Sequence, residues 1–181
     1  MPRPMPATAL VVAMLAILLI CIVTVPDDAA AAARPAAPPA CTLLTPRQLQ
    51  AVFGGTVGPG DLTTSPAGDE SICTWTVLTS ANGSGFSAQL DVKARFTPKE
   101  FKLQRQIASG PTKTVKHIGD SAFSERVKIG RQVFDDLWVH TGDIAFRLEV
   151  LEDLGSKPLV RLAPSVLAQL AAERHSGLAS T

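Results

Sequence analysis

The residues of this chain whose types could support chemistry are two cysteines, two acidic pairs and three histidines. Cys41 and Cys73 lie outside an apolar N-terminal run that contains Cys21. In an exported domain two such thiols meet an oxidising compartment and pair most simply as a disulfide. The other reading is two free buried thiols. A metal centre needs more ligands, and His117, His140 and His175 show no ligand spacing. Asp135-Asp136 and Glu152-Asp153 are the acidic pairs. Successive side chains on a strand point to opposite faces, so Asp135 and Asp136 cannot act as one carboxylate dyad and read as a solvated edge. Ser84 sits in Gly83-Ser84-Gly85, which lacks the five-residue nucleophile elbow and reads as a turn. Trp75 and Trp138 read as core. There is no phosphate-binding glycine loop and no HExxH. No catalytic, cofactor-binding or metal-ligating residue is assigned, and no cofactor is expected.

The element that must organise these residues is Phe86 to Phe96. Phe86, Ala88, Leu90, Val92, Ala94 and Phe96 alternate with Ser87, Gln89, Asp91, Lys93 and Arg95. A period of two makes a long strand with one buried and one wet face. Leu90 then faces the core, and Asp91 is a surface site. Ile72–Leu78 alternates likewise, with Asn82-Gly83 and Gly85 forming the turn between the two. Ala122–Ile129, Gln132–His140 and Asp143–Leu151 follow, joined by Gly130-Arg131 and Thr141-Gly142. Short strands joined by tight turns make an antiparallel meander.

Thr45-Pro46-Arg47-Gln48 and Thr97-Pro98-Lys99-Glu100 each carry an N-cap, a proline at the first helical position and a capping-box residue. Pro158–Arg174 reads as a closing helix, with Val166, Leu167, Leu170 and Ala171 as its stripe and Pro164 as a kink or restart. The expected fold is α+β: an antiparallel β-meander sheet with two or three helices packed on one face. Ile118-Gly119-Asp120 is a turn signal, glycine tolerating positive φ and aspartate bonding its own backbone.

Ala7–Val25 carries no charge, with Arg3 before it and Asp27-Asp28 after it. Its length suits a membrane anchor with the bulk of the chain outside, and the alanines at 29–33 could instead supply a signal-peptide cleavage site. Neither Cys21, after Leu18-Leu19-Ile20, nor Cys41, after Pro38-Pro39-Ala40, fits a lipidation site. Residues 1–26 are thus read as anchor or signal peptide and 27–40 as an Ala/Pro-rich linker. Residues 41–175 form an extracytoplasmic α+β domain, and 176–181 a disordered tail.

The chain has 181 residues, net charge +1, no tyrosine and 5% aromatic residues. That balance argues against a nucleic-acid partner and against an aromatic stacking platform.

Cys41-Thr-Leu-Leu-Thr-Pro, Cys73-Thr-Trp75 and Ile118-Gly-Asp-Ser-Ala-Phe, behind an apolar segment and a Pro/Ala linker, resemble an actinobacterial family of exported, often lipoprotein-like, cell-envelope domains of unknown function. The likeness spans roughly Cys41 to Ala172, and the chain departs from many relatives in lacking a lipobox. The resemblance implies a non-enzymatic envelope domain with a Cys41–Cys73 disulfide. The function expected is a membrane-tethered or secreted domain, held through its N-terminal segment, that binds an envelope protein or a small apolar ligand. A structural or assembly accessory of the envelope is one alternative. A hydrolase-like enzyme is another, and would need Asp, Ser or His side chains converging in a pocket, among them His117, His140 and Asp135.

Overall fold

The alternation from Phe86 onward becomes a ten-residue strand at the centre of a mixed α/β unit. In the computed structural model the described residues are 36–79 and 83–178, with side chains described to His175. The expected anchor or signal segment, most of the linker, Cys21, the Asn82 end of the first hairpin turn and residues 179–181 lie outside them. Among the described residues no helix is long and apolar enough to cross a membrane.

The strands are β1 (Thr56–Val57), β2 (Asp61–Thr64), β3 (Glu70–Leu78), β4 (Gly85–Ala94), β5 (Thr112–Val115), β6 (Ser121–Ile129), β7 (Gln132–Thr141) and β8 (Ile144–Val150). They form one antiparallel sheet in the order β1-β3-β4-β8-β7-β6-β5, and β2 also pairs with β3. The meander is real from β5 to β8. It does not extend to β4, which pairs with β8 rather than β5. After β4 the chain passes to the far edge of the sheet and returns strand by strand.

The helices are α1 (Ala40–Leu43), α2 (Pro46–Phe53), α3 (Pro98–Gln106) and α4 (Lys157–Leu178). Both expected capping boxes form. Thr45 N–H donates to Gln48 Oε1 at 2.8 Å, and Thr97 N–H donates to Glu100 Oε2 at 2.7 Å. Each box satisfies two of the amide donors a helix start leaves open. The closing helix runs past Pro164 to Leu178, so residues 176–178 continue α4 rather than begin a tail.

Residues paired across strands share a face of the sheet. One face carries Cys73, Trp75, Leu90, Val92, Leu137, Val139, Phe146 and Leu148, all buried. α4 covers it with Leu159, Leu162, Ala163, Val166 and Leu170, the spacing of a helical stripe. α1 and α2 add Leu43 and Leu49. Leu90 faces this core as expected.

The helices are not all on one face. α3 lies on the opposite side, where Phe101 meets the rings of Phe123 at 5.3 Å and His140 at 5.5 Å. The reason is connectivity. The link from β4 to the far edge must cross a face, and the long helix already fills the first.

Cys41 and Cys73 form a disulfide, with Cα atoms 5.1 Å apart. It ties α1 to β3. The packed unit starts before Cys41, because Ala37 and Ala40 are buried and Ala40 N–H donates to the Ser71 hydroxyl at 2.9 Å. Gly60 passes so close that a β-carbon there would lie 2.5 Å from Cys73 Sγ and 2.6 Å from Trp75 Nε1. Any side chain at Gly60 therefore displaces the disulfide or the indole.

With its ends 32 positions apart in sequence, the loop should be worth about 3–4 kcal/mol in the chain-entropy account. Mass mapping of unreduced protein should link the peptides of Cys41 and Cys73. The Cys41→Ser, Cys73→Ser double variant should melt several degrees lower than wild type. Unlinked peptides, or equal melting, would contradict this pairing.

Candidate functional site

On the face opposite α4 the two tight hairpins align carboxylates. The β6–β7 loop is Gly130-Arg131, which sets Ile129 opposite Gln132 and therefore Glu125 opposite Asp136. The β7–β8 loop is Gly142-Asp143, which sets Thr141 opposite Ile144 and therefore Asp136 opposite Glu149. Gln89 of β4 lies opposite Glu149. Three acidic residues thus stand side by side on three neighbouring strands. Cβ atoms at such positions are about 4.5–5.5 Å apart, a spacing at which like charges repel.

The row is not wet. Asp136 is 5% exposed and Glu125 6%. Glu125 Oε1 accepts a hydrogen bond from Gly110 N–H at 2.9 Å. Glu149 is paired with Arg147 at 3.1 Å. Asp136 has no cation or backbone amide as partner: its side chain meets the Glu149 carboxyl, and its Oδ1 is buried without a hydrogen bond. Burial raises its carboxyl to about 7, the charges of Glu149 and Glu125 add to the rise, and Arg147 opposes it.

The next row is Asp91, Arg147, Trp138 and Phe123. The Arg147 guanidinium lies 5.4 Å from the centre of the Trp138 ring and 3.9 Å from Asp91 Oδ2. Its Nε is buried without a partner. Asp91 was expected at the surface but is 3% exposed. Long neighbours cover it: Lys93 reaches it at 3.7 Å and bridges to Glu70 at 2.6 Å. Burial raises Asp91 to about 6, with Glu70 adding to the rise and Lys93 and Arg147 opposing it.

Between this row and the end of α3 is a hollow of about 230 Å³. Glu125, Asp136, Glu149 and Arg147 line its sheet side. Gln104, Ala108 and Ser109 line the other. Ile107 and Ile129 stand at its rim, 63% and 62% exposed.

Of the residues singled out from the sequence, Asp136 and Trp138 line the hollow and the rest lie elsewhere. Asp135 is on the α4 face, as the opposed-face argument requires, but it is buried rather than at a solvated edge. Arg126 grips it through Nε at 2.8 Å and Nη2 at 3.1 Å, and Gly155 N–H donates to it at 2.7 Å. The reason is position: β7 is an inner strand with β8 and β6 on its two sides. Asp153 of the second pair bridges to Arg126 at 3.0 Å. His140 is on the open face, with its Nε2 donating to Phe96 O at 2.9 Å. His117 is exposed in the β5–β6 loop with φ 63°. His117, His140 and Asp135 are not brought together. Among the described residues no group of three His, Cys, Asp or Glu could hold a metal ion.

Asp120 does not bond its own backbone. Its Oδ2 accepts from Gly142 N–H at 2.7 Å, which couples this loop to the β7–β8 turn. Gly119 has φ 56°, and a β-carbon there would come 2.5 Å from the His140 carbonyl oxygen. The Ile118–Phe123 motif therefore has a packing role.

No family model, curated protein or solved structure matches the chain.

The Asp136 carboxyl has a consequence for stability. Its folded value, about 7, lies above the ordinary aspartate value of 3.8, so the folded state holds an extra proton between the two. Stability from this group is complete below about pH 4 and is lost as pH rises to about 7. Asp91 acts in the same direction up to about 6. Wild-type protein should therefore melt lower at about pH 8 than at about pH 5. Asp136→Asn should remove much of that fall and melt higher than wild type at the upper pH, by on the order of a few kcal/mol. An unchanged pH slope would show that Asp136 is not the strained group.

Proposed function

We propose that this chain is a membrane-tethered or secreted extracytoplasmic domain of the cell envelope that works by binding a small ligand or a partner protein, without catalysis. The contact surface is the sheet face opposite α4. One observation carries the reading: a hollow on that face is lined by Asp136 and Arg147, and each of these side chains keeps a buried polar atom without a hydrogen-bond partner. Buried polar groups are nearly always satisfied, and a concave site where unsatisfied groups converge is a place a ligand can complete. The disulfide supports an oxidising compartment. The uncharged run at 7–25 between Arg3 and Asp27 supports a tether or export signal.

The full chain isolated under native conditions from the cell envelope or culture medium should retain a small molecule detectable by native mass spectrometry. Ala108→Phe, which fills the hollow from the helix side, should lose it while the melting temperature holds. A wild-type chain recovered empty, or equal occupancy in the two proteins, would contradict the reading.

A further inference from the structure

We propose that the hollow between the sheet and the end of α3 binds a small organic ammonium ion with an apolar body, an assignment that rests on this face being the binding surface. Charge is the first argument. Glu125, Asp136 and Glu149 line the hollow against a single cation, Arg147. That guanidinium is already committed to Glu149 at 3.1 Å and lies near Asp91 at 3.9 Å. The helix side offers Gln104, Ala108 and Ser109, which are neutral.

The second argument is Asp136 itself. It is 5% exposed, lines the hollow and keeps a buried oxygen without a partner. A carboxylate squeezed between two others on adjacent strands lacks a positive partner, and an ammonium group supplies one together with N–H donors. An anion placed there would meet three acids. A neutral hydroxyl would leave the charge imbalance in place.

Shape is the third argument. About 230 Å³ falls below the roughly 300–1,000 Å³ of sites for drug-sized ligands, so the occupant is small. Ile107, Ile129, Phe134 and Trp138 surround the acidic floor with apolar surface. A bare metal ion or hydrated inorganic cation would leave that surface unused, whereas an alkyl- or arylammonium ion covers it. The Trp138 ring adds a face that is attractive to cations, although Arg147 occupies part of it at 5.4 Å.

Calorimetric titration of the full chain in detergent micelles at about pH 8, where Asp136 is ionised, should separate three probes that share one ring. Phenethylammonium should bind one to one and shift the Trp138 indole N–H resonance. Phenylacetate and phenethyl alcohol should bind at least tenfold more weakly. Asp136→Asn and Glu149→Gln should each weaken phenethylammonium about tenfold or more while the far-UV circular dichroism stays that of wild type. That size of loss is expected when one partner of a charge-assisted contact is neutralised. Comparable affinity for all three probes, or affinity unchanged in both variants, would overturn the assignment. Failure of the ammonium probe, with native occupancy still lost in Ala108→Phe, would overturn the ligand class and leave the binding surface standing.

Discussion

The open face depends on the register of two hairpins. Gly130 and Gly142 each occupy the first position of a two-residue loop with φ near 60°, namely 62° and 61°. Only a residue without a β-carbon takes that conformation at little cost, and turns of this kind match the twist of the strands they join. Once Ile129 is opposite Gln132 and Thr141 opposite Ile144, every later pair follows. A slip of one residue would send Leu137 and Val139 out of the main core and the acids into it. The apolar face therefore fixes the register, and the register places Glu125, Asp136 and Glu149 in contact. Their crowding is a consequence of a core that must pack.

The two faces answer burial in different ways. Beneath α4 the one buried charge of β7, Asp135, is satisfied by a two-point grip from Arg126 and an amide from Gly155. Charge-assisted bonds of that kind offset the desolvation of the ions. On the other face Arg147 is asked to serve Glu149 and Asp91 while lying against Trp138, and Asp136 is left over. α3 is nine residues long and anchors chiefly through Phe101. It covers the ring cluster and stops short of the acids. Native proteins hold strain of this sort most often where they bind or react.

Much of this architecture was legible in the residues. Both capping boxes, the long alternating strand, the Gly130-Arg131 turn and the disulfide pair appear where their local chemistry places them, while the turn expected at Thr141-Gly142 falls one residue later, at Gly142-Asp143, because Thr141 still pairs with Ile144. Partners distant in sequence were harder to read. Nothing near Ala94 signals that β4 pairs with β8, because that choice is made by packing across the whole sheet. Asp91 looked exposed because alternation tells which face a residue takes, while its cover comes from Lys93, Arg147 and Glu70 on three strands. The Asp136–Glu149 contact was nearly readable: counting outward from Gly142-Asp143 aligns the two, and counting from Gly130-Arg131 adds Glu125. The short strands β1, β2 and β5 carry little apolar alternation and escaped notice for that reason.

The claim that binds fold to function is that register forces a carboxyl, Asp136, to be buried among like charges with no cation of its own. Carbon-detected NMR titration of the side-chain carboxyls in the full chain tests it directly. Asp136 should titrate with a midpoint of about 7 and Asp91 of about 6. An Asp136 midpoint close to the value of a free aspartate, about 3.9, would show that this carboxyl is solvated or paired with a cation, and would contradict the account.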